Sequence, residues 1–260
     1  MNNRPIGVLD SGIGGLTIWR EIVRLLPKES TIYIADSKNC PYGKKTPEQI
    51  HAFAKRLIKF LLKKDVKLIV IACNTITVSC LDKLREEFTN VPIVGTVPVI
   101  KTASEQTKNG IIGIFSTSGT AKSMYQKSLI NKFAKDKTVI NIGTDKLVPM
   151  IEKGKSMYLV IKKILLPFKK TNIDVLALGC SHYPLIKKEI QNALGSNVVI
   201  LDSGAAIARQ VRRVLSNNNS LSSSKILVHA FFTTGDKNLL NRVLSQQIGY
   251  NAKEIARAIL

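Results

Sequence analysis

The sequence predicts an α/β protein built from two pseudo-symmetric parallel α/β domains that face each other across a cleft. Three observations carry that expectation. Short apolar, β-rich runs alternate with longer helical patterns along the chain. The pattern repeats at a spacing of 106 to 107 residues, and both copies end one strand in a cysteine, Cys73 in the first and Cys180 in the second.

The expected strands are, in order, residues 6–9, 31–35, 68–72, 93–95, 111–115, 139–142, 175–178 and 198–201. The run Leu68-Ile69-Val70-Ile71-Ala72 has no polar alternation, so it is expected to be covered on both faces by helices. A shift of 107 residues lays residues 68–75 on 175–182 and residues 90–94 on 197–201 without a gap. A shift of 106 lays Gly7-Val8-Leu9-Asp10-Ser11 on Gly113-Ile114-Phe115-Ser116-Thr117. The expected division is a first domain of residues 1–97 plus 207–260, carrying Asp10 and Cys73, and a second of residues 98–206, carrying Cys180 and His182. In each half the aligned strand ends in a cysteine and a small polar residue, after which a helix is expected. Open α/β sheets bind ligands beyond the carboxyl ends of their strands, so Cys73 and Cys180 should oppose each other across the cleft. The Ser/Asn-rich segment 216–224 reads as a solvated connector.

Composition narrows the function classes. The 260 residues are 45% hydrophobic and 22% charged, as a globular protein requires. The longest apolar candidate, residues 57–72, is interrupted by Lys59, Lys63, Lys64, Asp65 and Lys67, which excludes a membrane span there. Residues 1–10 run from one arginine into Gly-rich sequence, unlike a signal peptide, so a cytoplasmic location is expected. The net charge of +21 raises nucleic acid as a partner. However, the lysines are dispersed over helix faces and loops with few aromatics among them, and a general Lys, Ile and Asn bias accounts for them better.

Cys40, Cys73, Cys80 and Cys180 read as free thiols, because the chain is long and carries no secretory feature. No pair has zinc-ligand spacing, so no metal site is expected. Cysteine suits proton transfer because its pKa of about 8.5 puts thiol and thiolate both within reach near neutrality. An opposed pair could therefore act as base on one face of a carbon and as acid on the other. Cys73 precedes a helix whose first N–H groups favour a thiolate or a bound carboxylate, and Cys180 occupies the equivalent place. Cys40 and Cys80 read as small buried residues, with Cys80 on the helix that Cys73 begins.

Several motifs together resemble glutamate racemase, of the aspartate/glutamate racemase superfamily. They are residues 10–17 (DSGIGGLT), Pro41-Tyr42-Gly43, Cys73-Asn74-Thr75, residues 147–152 (LVPMIE), residues 179–185 (GCSHYPL) and Thr233-Thr234-Gly235-Asp236. The likeness runs nearly end to end. It implies a cofactor-independent enzyme that interconverts L- and D-glutamate by two-base proton transfer, supplying D-glutamate for peptidoglycan in a bacterial cytoplasm. Cys73 would serve the D-glutamate side and Cys180 the L-glutamate side, with Asp10 and His182 assisting the neighbouring thiols. Substrate would be held by Asp10, Ser11, Tyr42, Gly43, Asn74, Thr75, Thr117, Thr120, Ser181 and His182. Asp36 and Glu152 fall on positions implicated in some members near the substrate ammonium or a proton relay. The resemblance also allows a homodimer. Two departures stand out: Ser181 replaces a common threonine and keeps its hydroxyl, and Gly143-Thr144-Asp145 replaces an Ala-Cys-Pro-like stretch near the cleft.

The competing readings are weaker. Gly12-Ile13-Gly14-Gly15 lacks the third spaced glycine of a dinucleotide site and the lysine of a P-loop. No motif places a Schiff-base lysine for pyridoxal phosphate. Aspartate or hydantoin racemase is the alternative within the superfamily, and a basic nucleic-acid-binding protein is the alternative outside it. A related decarboxylase would typically keep one of the two cysteines.

Overall fold

The computed structural model describes residues 1–97 and 99–260. Its strands are β1 (Ile6–Asp10), β2 (Thr31–Ala35), β3 (Leu68–Ile71), β4 (Ile93–Gly95), β5 (Ile111–Ser116), β6 (Thr138–Gly143), β7 (Val175–Gly179), β8 (Val199–Leu201), β9 (His229–Thr233) and β10 (Ile255–Arg257). The helices are α1 (Leu16–Leu25), α2 (Pro47–Leu62), α3 (Asn74–Glu87), α4 (Ile100–Gln106), α5 (Ser118–Lys122), α6 (Met124–Phe133), α7 (Leu147–Glu152), α8 (Tyr158–Lys170), α9 (Lys187–Leu194), α10 (Gly204–Asn217) and α11 (Lys237–Val243). No helix among the described residues is long and apolar enough to cross a membrane.

Two parallel sheets result, ordered β10-β9-β2-β1-β3-β4 and β6-β5-β7-β8. The four strands β2-β1-β3-β4 of the larger sheet have the same order as the whole smaller sheet. The correspondence extends to single residues. Gly7 pairs with Ile69 and Ile69 with Ile93 in one sheet, and their counterparts Gly113, Leu176 and Ile200 pair in the same way in the other. The sequence repeat is therefore a repeat of strand register. β9 and β10 lie outside it and extend the first sheet past β2.

Every residue of β1, β2, β3 and β7 is buried, as their uninterrupted apolar sequences require of strands covered on both faces. Helix α2 starts at a capping box in which Thr46 and Gln49 exchange hydrogen bonds and Pro47 opens the first turn. Trp19, on the buried face of α1, donates its indole N–H to Thr31 at 2.8 Å. Helix α1 packs against α10.

The domain division expected at 206/207 falls in the first turn of α10, and the one expected at 97/98 touches residue 98, outside the described residues. The segment 216–224 is mostly exposed, as a solvated connector would be, yet it is anchored. It begins inside α10, and beyond the helix it is tied down around a buried ion pair. Lys67 Nζ lies 2.6 Å from Glu29 and donates to the carbonyls of Asn2 and Ser220, while Ser222 N–H donates to Glu29. Lys67, which interrupts the apolar run 57–72, thus buries its charge instead of exposing it.

Candidate active site

The site forms where the carboxyl ends of β1, β3, β5 and β7 meet. Cys73 is the N-cap of α3, so its thiol lies beside the free N–H groups of the helix start. Cys180 follows β7 but leads first into a 3-10 turn, Tyr183–Ile186, with Pro184 inside it, before α9. The helix expected directly after Cys180 is displaced by that turn. Both thiols line one buried cavity, together with Ser11, Tyr42, Gly43, Asn74, Thr75, Thr117, Ser181 and His182. Pro41 and Val148, which belong to the motifs but were not expected to bind substrate, complete its wall. The free volume is about 10 Å³, enough for about one water molecule.

Each thiol has its own surroundings. Ser11 Oγ lies 3.4 Å from Cys73 Sγ. Burial pushes the Cys73 thiol up to about 12, and the nearby Asp10 carboxylate adds to the rise. Asp10 does not line the cavity. It is fully buried at the end of β1, accepting from Ser181 Oγ at 3.1 Å and from Gly12 N–H at 3.1 Å. Burial raises its carboxyl from 3.8 to about 6, against the lowering pull of His182 and of the Gly12 and Gly15 N–H groups. Beside Cys180, burial alone would lower His182. Hydrogen bonds to Cys180, Cys40 and Glu152 outweigh that and hold the imidazole well above its ordinary value.

Glu152, at the end of α7, carries His182 from behind. Its Oε1 lies 2.6 Å from His182 Nε2 and accepts the Ile13 N–H at 2.9 Å. Asp36 also stands behind the cavity wall. One of its oxygens accepts from Tyr42 at 2.6 Å and the other from Thr234 at 2.7 Å, so it fixes the Tyr42 ring in place. Thr120 is buried and does not line the cavity itself, and it accepts from Thr117 Oγ1 at 2.9 Å. The Thr75, Thr117 and Thr120 hydroxyls form a cluster with separations of 2.9 to 3.4 Å that joins α3 to α5.

Two residues acquire a place that the sequence did not reveal. Cys40 is only partly buried, and its Sγ lies 3.7 Å from Glu152 Oε1. Asp145 accepts the Ser118 N–H at 3.2 Å and lies 2.7 Å from where a Cβ on Gly43 would stand. The departure at residues 143–145 therefore puts a carboxylate where the Tyr42-Gly43 turn meets the start of α5. Gly14 shows why the first turn is glycine-rich. A Cβ there would lie 2.6 Å from His182 N and 2.7 Å from Ser181 C, so the turn after β1 packs directly on the backbone that follows Cys180.

Two register-matched parallel sheets each deliver one thiol to a single cavity, with Asp10 buried behind Cys73 and His182 beside Cys180. The chain belongs to the Asp/Glu/Hydantoin racemase family, whose profile matches residues 6–211. It is 38% identical to the glutamate racemase of Pseudomonas putida (strain W619) over 244 residues, 92% of each chain. A glutamate racemase isoform of Bacillus anthracis superposes with a TM-score of 0.89 at 34% identity, covering 100% of this chain and 99% of that one. The Escherichia coli glutamate racemase, in complex with L-glutamate and the activator UDP-MurNAc-Ala, superposes with a TM-score of 0.88 at 32% identity, covering 99% of each.

Proposed function

We propose that the chain is a cofactor-independent glutamate racemase in which Cys73 and Cys180 exchange the α-proton at opposite faces of the substrate carbon. The observation that carries this reading is the presence of one thiol from each sheet in the same cavity, at equivalent positions of the repeat.

The α-proton of an amino acid is weakly acidic, and inversion needs a base on one face and an acid on the other. From L-glutamate, Cys180 takes the proton while the Cys73 thiol, which burial keeps protonated, delivers one to the other face. From D-glutamate the roles reverse, and Cys73 must first lose its proton. Asp10, raised to about 6, is a carboxylate at neutral pH whose charge opposes that loss, while the Ser11 hydroxyl and the Ile76 N–H favour it. His182, braced by Glu152, favours the corresponding loss at Cys180. The carbanion gains from water exclusion and from the N–H groups at the start of α3. Asn74 Oδ1 is buried without a hydrogen-bond partner and borders the cavity, which suits the substrate ammonium. The Thr75 and Thr117 hydroxyls suit a carboxylate. D-Glutamate supply for peptidoglycan, in the cytosol, follows from this reading.

The test is incubation of L- and D-glutamate with the protein in deuterated water without added cofactor. Both should racemise, with solvent deuterium in the inverted product. Turnover of aspartate with none of glutamate would overturn the substrate assignment.

A further inference from the structure

Spacing along the chain shows no metal-ligand pattern, yet the fold brings three ligand types from three separate segments together. Cys40 Sγ, from the loop after β2, Glu152 Oε1, from the end of α7, and His182 Nε2, from the turn after β7, all lie within 4.8 Å of one another. Thiol, imidazole and carboxylate are the donor set of zinc-class cations, which bind them tetrahedrally at about 2.0–2.3 Å. Ligands at such distances stand roughly 3.2–3.8 Å apart. Cys40 and Glu152 are already 3.7 Å apart. The His182–Glu152 contact of 2.6 Å has only to open by roughly half an ångström, as a shared hydrogen bond gives way to two metal bonds. The Ile13 N–H holds the Glu152 carboxylate from behind, as outer hydrogen bonds orient metal ligands. Cys40 and Glu152 are both partly exposed, so the cluster can be reached from solvent.

We propose that Cys40, Glu152 and His182 form a binding site for one thiophilic divalent cation of the zinc class, and that its occupancy switches racemisation off. Binding releases two protons to solvent, that of the Cys40 thiol and that shared by His182 Nε2 and Glu152, and leaves a fourth position for water. His182 Nε2 then carries a metal in place of a movable proton, and the Glu152 brace is diverted to the cation. The imidazole beside Cys180 can then no longer take up or release a proton at Nε2, while both reacting thiols stay untouched. Binding itself stands on geometry alone, whereas the inhibitory consequence rests on the role given to His182 above.

Cobalt(II) serves as the spectroscopic probe and Zn²⁺ as the inhibitor. In the wild-type protein, Co²⁺ should give a thiolate-to-metal charge-transfer band in the near ultraviolet, and Zn²⁺ should abolish it by displacement. Cys40→Ser and Cys40→Ala should lose the band and, with inhibition read against each variant's own zinc-free rate, raise the half-inhibiting Zn²⁺ concentration at least about tenfold. An unchanged band in both variants would place the metal on another thiol and overturn the site. A lost band with unchanged Zn²⁺ sensitivity would overturn the switch. Because the band is read without substrate, the site is judged even if glutamate is not turned over.

Discussion

Asp10 is the residue at which folding and chemistry conflict most directly. Burial raises its carboxyl from 3.8 to about 6, so the folded chain holds this proton more tightly than the unfolded chain does. The resulting contribution to stability is fully present below pH 3.8 and is lost as pH rises through 6. At neutral pH the ionised carboxylate costs up to about 3 kcal/mol. Asp10→Asn removes that charge but leaves one amide oxygen for two donors, Ser181 Oγ and Gly12 N–H, each of which meets its own carboxylate oxygen in the wild type. Calorimetry at pH 8 should therefore show a net gain of about 1–2 kcal/mol that vanishes near pH 4, together with a fall in racemisation of about 10²-fold or more. A variant that is less stable at pH 8 and more stable at pH 4 would contradict this. Many of the residues named from motifs sit on strand ends or a glycine-rich turn with a fixed local signature, whereas Tyr42, Gly43, Thr120 and Glu152 sit in helical turns and were named through the resemblance alone. Cys40 was legible by neither route. Its loop has no periodicity, and its neighbours Glu152 and His182 lie more than a hundred residues away in sequence, so it read as a small buried residue.

At the scale of elements, the turn after β1 does more than end a strand. The Gly14 backbone touches the Ser181-His182 backbone, and Thr17 Oγ1 donates to the Ser181 carbonyl at 3.2 Å, so α1 and the Cys180 turn are built as one unit. Gly14→Ala should push the Ser181-His182 turn outward. An expected loss of about 10²-fold in kcat follows from such misplacement, with about 1–3 kcal/mol of stability. Steady-state kinetics and thermal unfolding check it, and a wild-type kcat would show that the contact has no bearing on the site. The eight strands of the repeat could be read from apolar runs, with ends shifted by at most one residue. β9 and β10 escaped that reading because neither has a counterpart in the other half, and β10 has only three residues. The helix expected directly after Cys180 was likewise out of reach, since Pro184 favours a tight turn whose length only packing decides.

The whole molecule is closed around its site. A free volume of about 10 Å³ cannot admit an amino acid, and the Gly43 carbonyl lies 3.1 Å from where a Cβ on Gly119 would stand. Glutamate must therefore be exchanged in a more open arrangement, and closure leaves the carbanion in a dry, preorganised site. The fold class, the repeat and the family were legible at this scale because they depend on patterns spread over the chain. The closure was not, because it rests on contacts between loops far apart in sequence. The net charge of +21 enters none of these steps. The central claim is that two thiols, one from each sheet, share one reaction. It is tested most directly by measuring racemisation of both glutamate enantiomers by Cys73→Ala and Cys180→Ala, with thermal unfolding as the control for the fold. Each variant should unfold as the wild type does and lose racemisation in both directions by about 10³-fold or more. Full activity in either variant would contradict the two-base account.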